Sequence, residues 1–167
     1  MVNNKLLPIK QRINGGKKKV DTSIKILIAD ENATQRQALC NELRRAGFNE
    51  LEEATNGEEA LIKIGRYHPD VAIIDIWLSK LDGIGVIRNS KKLNYGKDKA
   101  PAFIVVSMVS SQSAFLEATN AGADLCLLKP YNTESLCAHV EALAKARAGM
   151  LSTPKAVASD DTPDIET

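Results

Sequence analysis

Continuous apolar runs alternate along the chain with segments in which apolar residues recur every three or four positions. Four strand-length runs are almost wholly apolar and predict buried strands: 24–29, 71–74, 102–106 and 125–128. The half-polar run 50–54 predicts a shorter strand at a sheet edge. The intervening segments predict five helices, whose ends are marked by short polar or glycine residues: Gly47, Asn56-Gly57, Asp82-Gly83, Gly122 and Asn132. Five strand–helix units predict an α/β fold with a doubly wound, five-stranded parallel sheet and helices on both faces.

Polar side chains stand where the predicted strands end. Asp30 and Glu31 follow the first strand, Asp75 closes the third, Ser107 the fourth and Lys129 the fifth. Parallel sheets bind ligands beyond these carboxyl ends. Crowded carboxylates repel one another, but Mg²⁺ favours hard oxygen ligands, and a lysine offsets phosphoryl charge. The pattern therefore predicts a site for a divalent metal and a phosphoryl group, with separate, solvated acids as the alternative.

Charge is distributed unevenly over the 167 residues, although the net charge is only +1. Residues 1–20 contain six cations and no acid, whereas residues 151–167 contain four acids and one cation. Because both ends are poor in large apolar residues, we predict a basic flexible extension at 1–22, a folded domain at 23–149 and an acidic flexible tail at 150–167. The basic segment lacks interleaved aromatic residues, so neither nucleic acid nor a membrane is favoured as its partner.

The sequence also restricts the cellular setting. The longest apolar runs are strand-sized and too short to span a bilayer, and the N-terminus does not read as a signal peptide. The three cysteines, Cys40, Cys126 and Cys137, lack a CxxC spacing, which favours free buried thiols over a zinc or redox site. These features predict a cytoplasmic protein in a reducing compartment.

The motifs at the strand ends resemble those of the receiver domains of two-component response regulators. The matching segments are Asp30-Glu31, Asp75 with Leu81-Asp82-Gly83, Ser107, 121–124 and Lys129-Pro130. The resemblance covers about residues 23–147, and it implies the strand order 2-1-3-4-5 and a cis Lys129–Pro130 bond. The run from Leu128 to Val140 further resembles receivers of sporulation-type regulators. No output domain is recognisable after Gly149, which is typical of a stand-alone receiver.

The resemblance implies that Asp75 accepts a phosphoryl group from a histidine kinase or a histidine phosphotransfer protein. Asp30, Asp75 and the backbone carbonyl of Trp77 would bind Mg²⁺, with Glu31 acting directly or through water.

Ser107 and Lys129 would bind the phosphoryl oxygens. On this interpretation the protein is a signalling phosphoacceptor and not an enzyme, apart from slow hydrolysis of its own aspartyl phosphate. It would act on a downstream protein partner, and a phosphorylation-dependent homodimer is left open.

Three positions depart from the family pattern or bear on how fast the phosphoryl group is lost. Cys126 stands three residues before Lys129, where receivers usually have an aromatic ring that moves on phosphorylation. Because a thiol is too small to propagate the same change, we expect an altered or weaker coupling between phosphorylation and the face formed by the fourth helix and the fifth strand. Trp77 and Val109 flank the route of hydrolytic water in the family, and neither side chain can orient a water molecule. We therefore expect an aspartyl phosphate that lasts hours.

Two other functions remain open from the sequence. A receiver fold that serves as a phosphorylation-independent docking module is favoured by Cys126 and disfavoured by the intact set of strand-end residues. A flavodoxin-like electron carrier shares the sheet but needs a hydroxyl-rich phosphate loop after the first strand, where this chain has Asp30-Glu31-Asn32-Ala33.

Overall fold

The computed structural model describes residues 19–96 and 100–149. Strands and helices alternate in the order predicted from the hydrophobic pattern. The strands are β1 (Lys25–Ala29), β2 (Glu50–Ala54), β3 (Val71–Asp75), β4 (Ala102–Ser107) and β5 (Leu125–Leu128). The helices are α1 (Ala33–Ala46), α2 (Gly57–Tyr67), α3 (Gly83–Ser90), α4 (Gln112–Ala121) and α5 (Thr133–Arg147).

The strands form a single parallel sheet with the order β2-β1-β3-β4-β5. The doubly wound α/β fold and the strand order implied by the resemblance are both confirmed. The half-polar strand β2 pairs with β1 at one edge of the sheet, as predicted. The central strand β3 is buried along its whole length, which places its last residue, Asp75, beside the ends of β1 and β4.

Both faces of the sheet are covered, and neighbouring strand residues point into different layers. Ile26 and Ile28 pack with α1 and α5, whereas Leu27 packs with α2, α3 and α4. This two-sided burial explains why the central strands are continuous apolar runs rather than alternating ones. Val20 also packs against the α1–α5 side of the sheet.

Each helix begins at a side chain that accepts a hydrogen bond from a backbone N–H three residues ahead. The five capping residues are Asn32, Asn56, Asp82, Ser111 and Asn132. Such caps satisfy backbone donors that the helix itself cannot. Gly47 ends α1 with φ = 109°, a left-handed conformation that favours glycine. The caps fix the short loops that connect the strands to the helices that follow them.

Cys40 is buried, Cys126 and Cys137 are partly buried, and all three are free thiols. Within the described ranges, no helix has the length and apolar character needed to cross a membrane. The Lys129–Pro130 peptide bond is cis, as the resemblance implied. Most of the predicted basic extension (1–18) and all of the predicted acidic tail (150–167) lie outside the described residues.

Candidate functional site

The side chains of Asp30, Asp75 and Lys129 meet at the carboxyl edge of the sheet. The Lys129 Nζ lies 2.8 Å from Asp30 Oδ2 and 2.8 Å from Asp75 Oδ2. All three side chains are only 12% exposed. They come from the ends of three different strands, as the sequence predicted. Charge-assisted hydrogen bonds of this kind are stronger than neutral ones, and burial reduces their screening.

The electrostatics of the site keep Lys129 charged. Burial acts to lower the pKa of Lys129, but hydrogen bonds to Asp30 and Asp75 outweigh it, and the pKa is raised above its usual value. A compact ammonium therefore faces two carboxylates at neutral pH. One positive charge against two negative ones leaves a net negative pocket that can accept a further cation.

The second oxygen of each carboxylate is held by its own loop. Asp30 Oδ1 accepts a hydrogen bond from the Asn32 N–H at 2.8 Å. Asp75 Oδ1 accepts one from the Trp77 N–H at 2.9 Å, while the Trp77 side chain is 60% exposed at the rim. Both carboxylates are thus oriented from two sides, which preorganises them for a ligand.

Glu31 is placed differently from the other two acids. Its carboxylate is exposed and accepts a hydrogen bond from the Ser79 N–H in the loop after β3. Hydrogen bonds from Ser79 lower the pKa of Glu31. No three acidic, histidine or cysteine side chains of the described residues lie together as a ready metal site. The structure therefore brings Asp30 and Asp75 together and ties Glu31 to the neighbouring loop.

The available donors suit magnesium in their chemistry. Asp30 and Asp75 supply hard carboxylate oxygens, and Mg²⁺ in proteins is typically held by one or two carboxylates and several waters. The backbone of Trp77 follows Asp75 directly along the same loop, and Glu31 lies next to Asp30. The residues present therefore fit a magnesium ion without a third buried carboxylate.

Ser107 is buried at the end of β4, beside the end of β3. Its Oγ accepts a hydrogen bond from the Val109 N–H at 3.1 Å and donates to the Val109 carbonyl at 3.2 Å. The hydroxyl is thus engaged with its own loop, one strand away from Asp75. The Val109 side chain is 52% exposed and offers no polar atom to the pocket.

Cys126 and Tyr131 lie on opposite faces of the sheet. The Cys126 Sγ faces α4, 3.8 Å from the Phe115 carbonyl oxygen and 3.9 Å from Thr119 Oγ1, and burial raises its pKa. Tyr131 packs with the residues between α1 and α5. The Tyr131 ring therefore does not fill the place beside α4 where an aromatic side chain is expected in the family.

Two residues on α1 contact the site but were not predicted from the sequence. Gln35 Oε1 accepts a hydrogen bond from Lys129 Nζ at 2.9 Å. Arg36 donates from Nη1 to the Asp30 carbonyl at 2.6 Å and from Nε to Glu53 Oε2 at 2.9 Å. In the sequence, the feature that could have pointed to these two residues is their position in the first turn of the helix that follows β1.

Gly83 marks a close approach of two backbone segments beneath Asp75. A Cβ atom at Gly83 would overlap the carbonyl oxygen of Asp75, and the Gly83 N–H donates to the Ile76 carbonyl at 2.9 Å. The start of α3 is thereby fixed against the end of β3. From the sequence, Gly83 was interpreted as part of the motif Leu81-Asp82-Gly83 and of a turn into a helix, without this backbone contact.

Comparisons with known proteins agree with this geometry. The sequence profile of the response regulator receiver domain matches residues 26–141. The chemotaxis protein CheY of Thermotoga maritima is 34% identical over 121 residues, which cover 72% of this chain and 95% of that protein. The transcriptional regulatory protein PhoP of Escherichia coli is 28% identical over 129 residues, 77% of this chain, and the chain spans only 56% of its length.

Solved structures show the same fold. A CheY-like receiver domain from Methanospirillum hungatei superposes with a TM-score of 0.68 at 27% identity, covering 76% of this chain and 98% of that one. CheY of Borrelia burgdorferi, solved in a CheX–CheY–BeF₃–Mg²⁺ complex, gives a TM-score of 0.63 at 25% identity, covering 72% and 88%. The profile match, the relatives and the shared architecture show that the chain belongs to the response regulator receiver domain family.

Proposed function

We propose that this receiver domain accepts a phosphoryl group on Asp75, with Mg²⁺, from the phosphohistidine of a histidine kinase or a phosphotransfer protein. One observation carries the proposal: two nearly buried carboxylates from the adjacent strands β1 and β3 share the ammonium of Lys129. Such an arrangement is costly for a structural core and suits the binding of a charged group.

In the proposed reaction a carboxylate oxygen of Asp75 attacks the phosphorus atom. A P–O bond forms as the N–P bond of the donor breaks, and the donor imidazole leaves with the bonding electron pair. The chain positions the acceptor through the Trp77 N–H and offsets phosphoryl charge through Lys129. Positioning and charge neutralisation are the main requirements of phosphoryl transfer. The Ser107 hydroxyl would give up its hydrogen bond to the Val109 carbonyl and donate to a phosphoryl oxygen instead.

Asp30, Asp75 and the Trp77 carbonyl are proposed to hold the metal, with Glu31 acting directly or through water. When bound, Mg²⁺ supplies additional positive charge for the phosphoryl oxygens. The complex of the Borrelia relative with BeF₃ and Mg²⁺ supports this part of the proposal. The same complex contains CheX, which supports a protein partner for this domain, and we propose that a partner of the phosphorylated form acts downstream. We further propose a cytoplasmic location, where kinases that use ATP are found.

Incubation with acetyl phosphate and Mg²⁺, read by intact mass, tests the proposal. The wild type is expected to gain one phosphoryl group, and Asp75→Asn none. Asp70→Asn is the matched control, because Asp70 lies at the opposite end of β3 and binds the Lys25 N–H. Absence of the adduct from the wild type, together with no effect of Mg²⁺ on the fluorescence of Trp77, the sole tryptophan, would reject the proposal.

A phosphorylation-independent docking module is the second candidate. The placement of Cys126 favours it, because a small thiol occupies the position beside α4 where a moving ring would transmit the signal. Family membership, rather than the fold, separates the domain from a flavodoxin-like electron carrier, since both share this sheet. A wild type that binds a partner equally well with and without the phosphoryl group would support the docking module.

A further inference from the structure

The ammonium group of Lys129 has three N–H donors, and three acceptors lie around it. Two are the carboxylates of Asp30 and Asp75, each at 2.8 Å, and the third is the neutral amide oxygen of Gln35 at 2.9 Å. We propose that Gln35 is a positioning residue that holds Lys129 over the phosphoryl site. This inference rests on the proposed function.

The three acceptors of Lys129 would behave differently during the reaction. Asp75 would become an acyl phosphate, and both Asp75 and Asp30 are proposed metal ligands, so both change their charge environment when phosphate and metal bind. Gln35 takes part in neither event. Its amide oxygen is therefore the one acceptor that keeps the flexible four-carbon side chain of Lys129 in the same place throughout.

The surroundings of Gln35 fit this role. The Gln35 N–H donates to the capping side chain of Asn32 at 3.1 Å, which fixes the first turn of α1. The side chain is half-buried, and its Nε2 lies 3.8 Å from the sulfur of Met108, in the loop after Ser107. The amide orientation follows from chemistry, because an ammonium can only donate and so requires the oxygen. Gln35 thus joins the loops after β1 and β4 to the end of β5.

The alternative is that Gln35 only fills space beside Lys129. If Gln35 positions Lys129, loss of its amide weakens beryllofluoride binding only when Lys129 is present. If Gln35 only fills space, the loss is the same with and without Lys129. Gln35→Met keeps the length and approximate volume of the side chain but removes the acceptor. Gln37→Met is the matched control, because Gln37 lies on the same helix, is exposed and contacts Glu53 Oε2 at 3.3 Å instead.

A double-mutant cycle with Lys129→Met tests the proposal. The readouts are the affinities for Mg²⁺ alone and for beryllofluoride at saturating Mg²⁺, both followed by Trp77 fluorescence. Gln35→Met is expected to weaken beryllofluoride binding by about 3- to 10-fold, the range of a typical net hydrogen bond. The Mg²⁺ affinity of Gln35→Met is expected to equal that of the wild type. Both affinities of the Gln37→Met control are also expected to stay at the wild-type value. In the Lys129→Met background the same substitution is expected to have no effect.

Other outcomes overturn the inference. Equal losses with and without Lys129 would show a structural role, and an unchanged affinity in Gln35→Met would show no role. A wild type that binds no beryllofluoride would reject the proposed function and, with it, a phosphoryl-site role for Gln35. A wild type that binds normally while Gln35→Met also binds normally would reject the Gln35 inference alone, so the two failures are distinguishable.

Discussion

At the scale of single residues, the lining of the pocket determines how long a phosphoryl group would survive on Asp75. Trp77 and Val109 follow Asp75 and Ser107 by two positions, and their side chains are 60% and 52% exposed. Neither side chain can orient a water molecule or act as a general base. Since a positioned general base typically accelerates a reaction by orders of magnitude, its absence favours a long-lived acyl phosphate.

We predict that the aspartyl phosphate of the wild type in Mg²⁺ decays over hours. Val109→Glu places a carboxylate beside the proposed phosphoryl site, where it can orient a water molecule, and is expected to shorten the lifetime by about 100-fold, the lower end of what a positioned general base contributes. The measurement is the loss of the phosphoryl mass with time after removal of acetyl phosphate. Leu116→Glu is the control, because Leu116 is a similarly exposed apolar residue on α4. A wild-type lifetime of seconds would contradict the prediction.

At the scale of elements, the contact between α3 and the end of β3 is a backbone contact that leaves no space for a side chain. Gly83→Ala is expected to destabilise the domain by about 1–3 kcal/mol, because the added Cβ overlaps the Asp75 carbonyl oxygen. Gly65→Ala on α2 is the opposite case. Its Cβ would lie 3.6 Å from Leu93 Cδ1, an ordinary contact, and alanine is expected to stabilise the helix by about 0.5–1 kcal/mol. Urea unfolding of both variants measures the difference, and equal effects would contradict the prediction.

The start of α2 carries a pH-dependent contribution to stability. Glu59 accepts hydrogen bonds from the Thr55 N–H at 2.8 Å and Oγ1 at 2.7 Å, and these bonds lower its pKa to about 2. Because the pKa is depressed in the folded state, the stabilisation is complete above the unfolded value of 4.5 and is lost as the pH falls towards 2. The side chain is 34% exposed, so solvent screening reduces the contribution to about 1 kcal/mol.

Glu59→Gln is therefore expected to lower the free energy of unfolding by about 1 kcal/mol at neutral pH, with the difference from wild type vanishing as Glu59 is protonated. Urea unfolding across this pH range provides the measurement. Glu58→Gln is the control, because Glu58 is exposed and lies in the same first helical turn. A deficit that persisted unchanged at acidic pH would show that the Thr55 bonds do not depend on the charge of Glu59.

The elements could be predicted from the sequence because their signals are local. Strands buried on both faces are continuous apolar runs, and caps such as Asn132 stand next to the helices they begin. Asp75 and Lys129 could be placed together because parallel strands end at the same edge. Gln35 could not be placed, since its contact with Lys129 spans 94 positions and depends on the rotation of α1. The Glu31–Ser79 contact spans 48 positions and likewise has no local signature.

At the scale of the whole molecule, a signal that begins at Asp75 has to reach a surface on another side of the fold. The proposed phosphoryl site lies at the carboxyl edge of the sheet, and we take the face of β5 and α4 as the surface through which a partner would sense it. On this side Cys126 pairs in register with Val105 and contacts the backbone of Phe115 on α4. A thiol is too small to exchange between inward and outward positions as a ring does, and Tyr131 packs on the other face.

We therefore predict that beryllofluoride and Mg²⁺ change amide hydrogen exchange in α4 only weakly in the wild type, by less than about 5-fold, the lower end of allosteric coupling. Cys126→Tyr supplies a ring that can move with the loop after Ser107, and the response of α4 is expected to increase. Cys137→Tyr is the matched control, because Cys137 is a partly buried thiol on α5, on the opposite side of the sheet. If α4 of the wild type responds as strongly as that of Cys126→Tyr, the signal passes without a ring at this position. The small thiol would then be no obstacle to phosphorylation-dependent output.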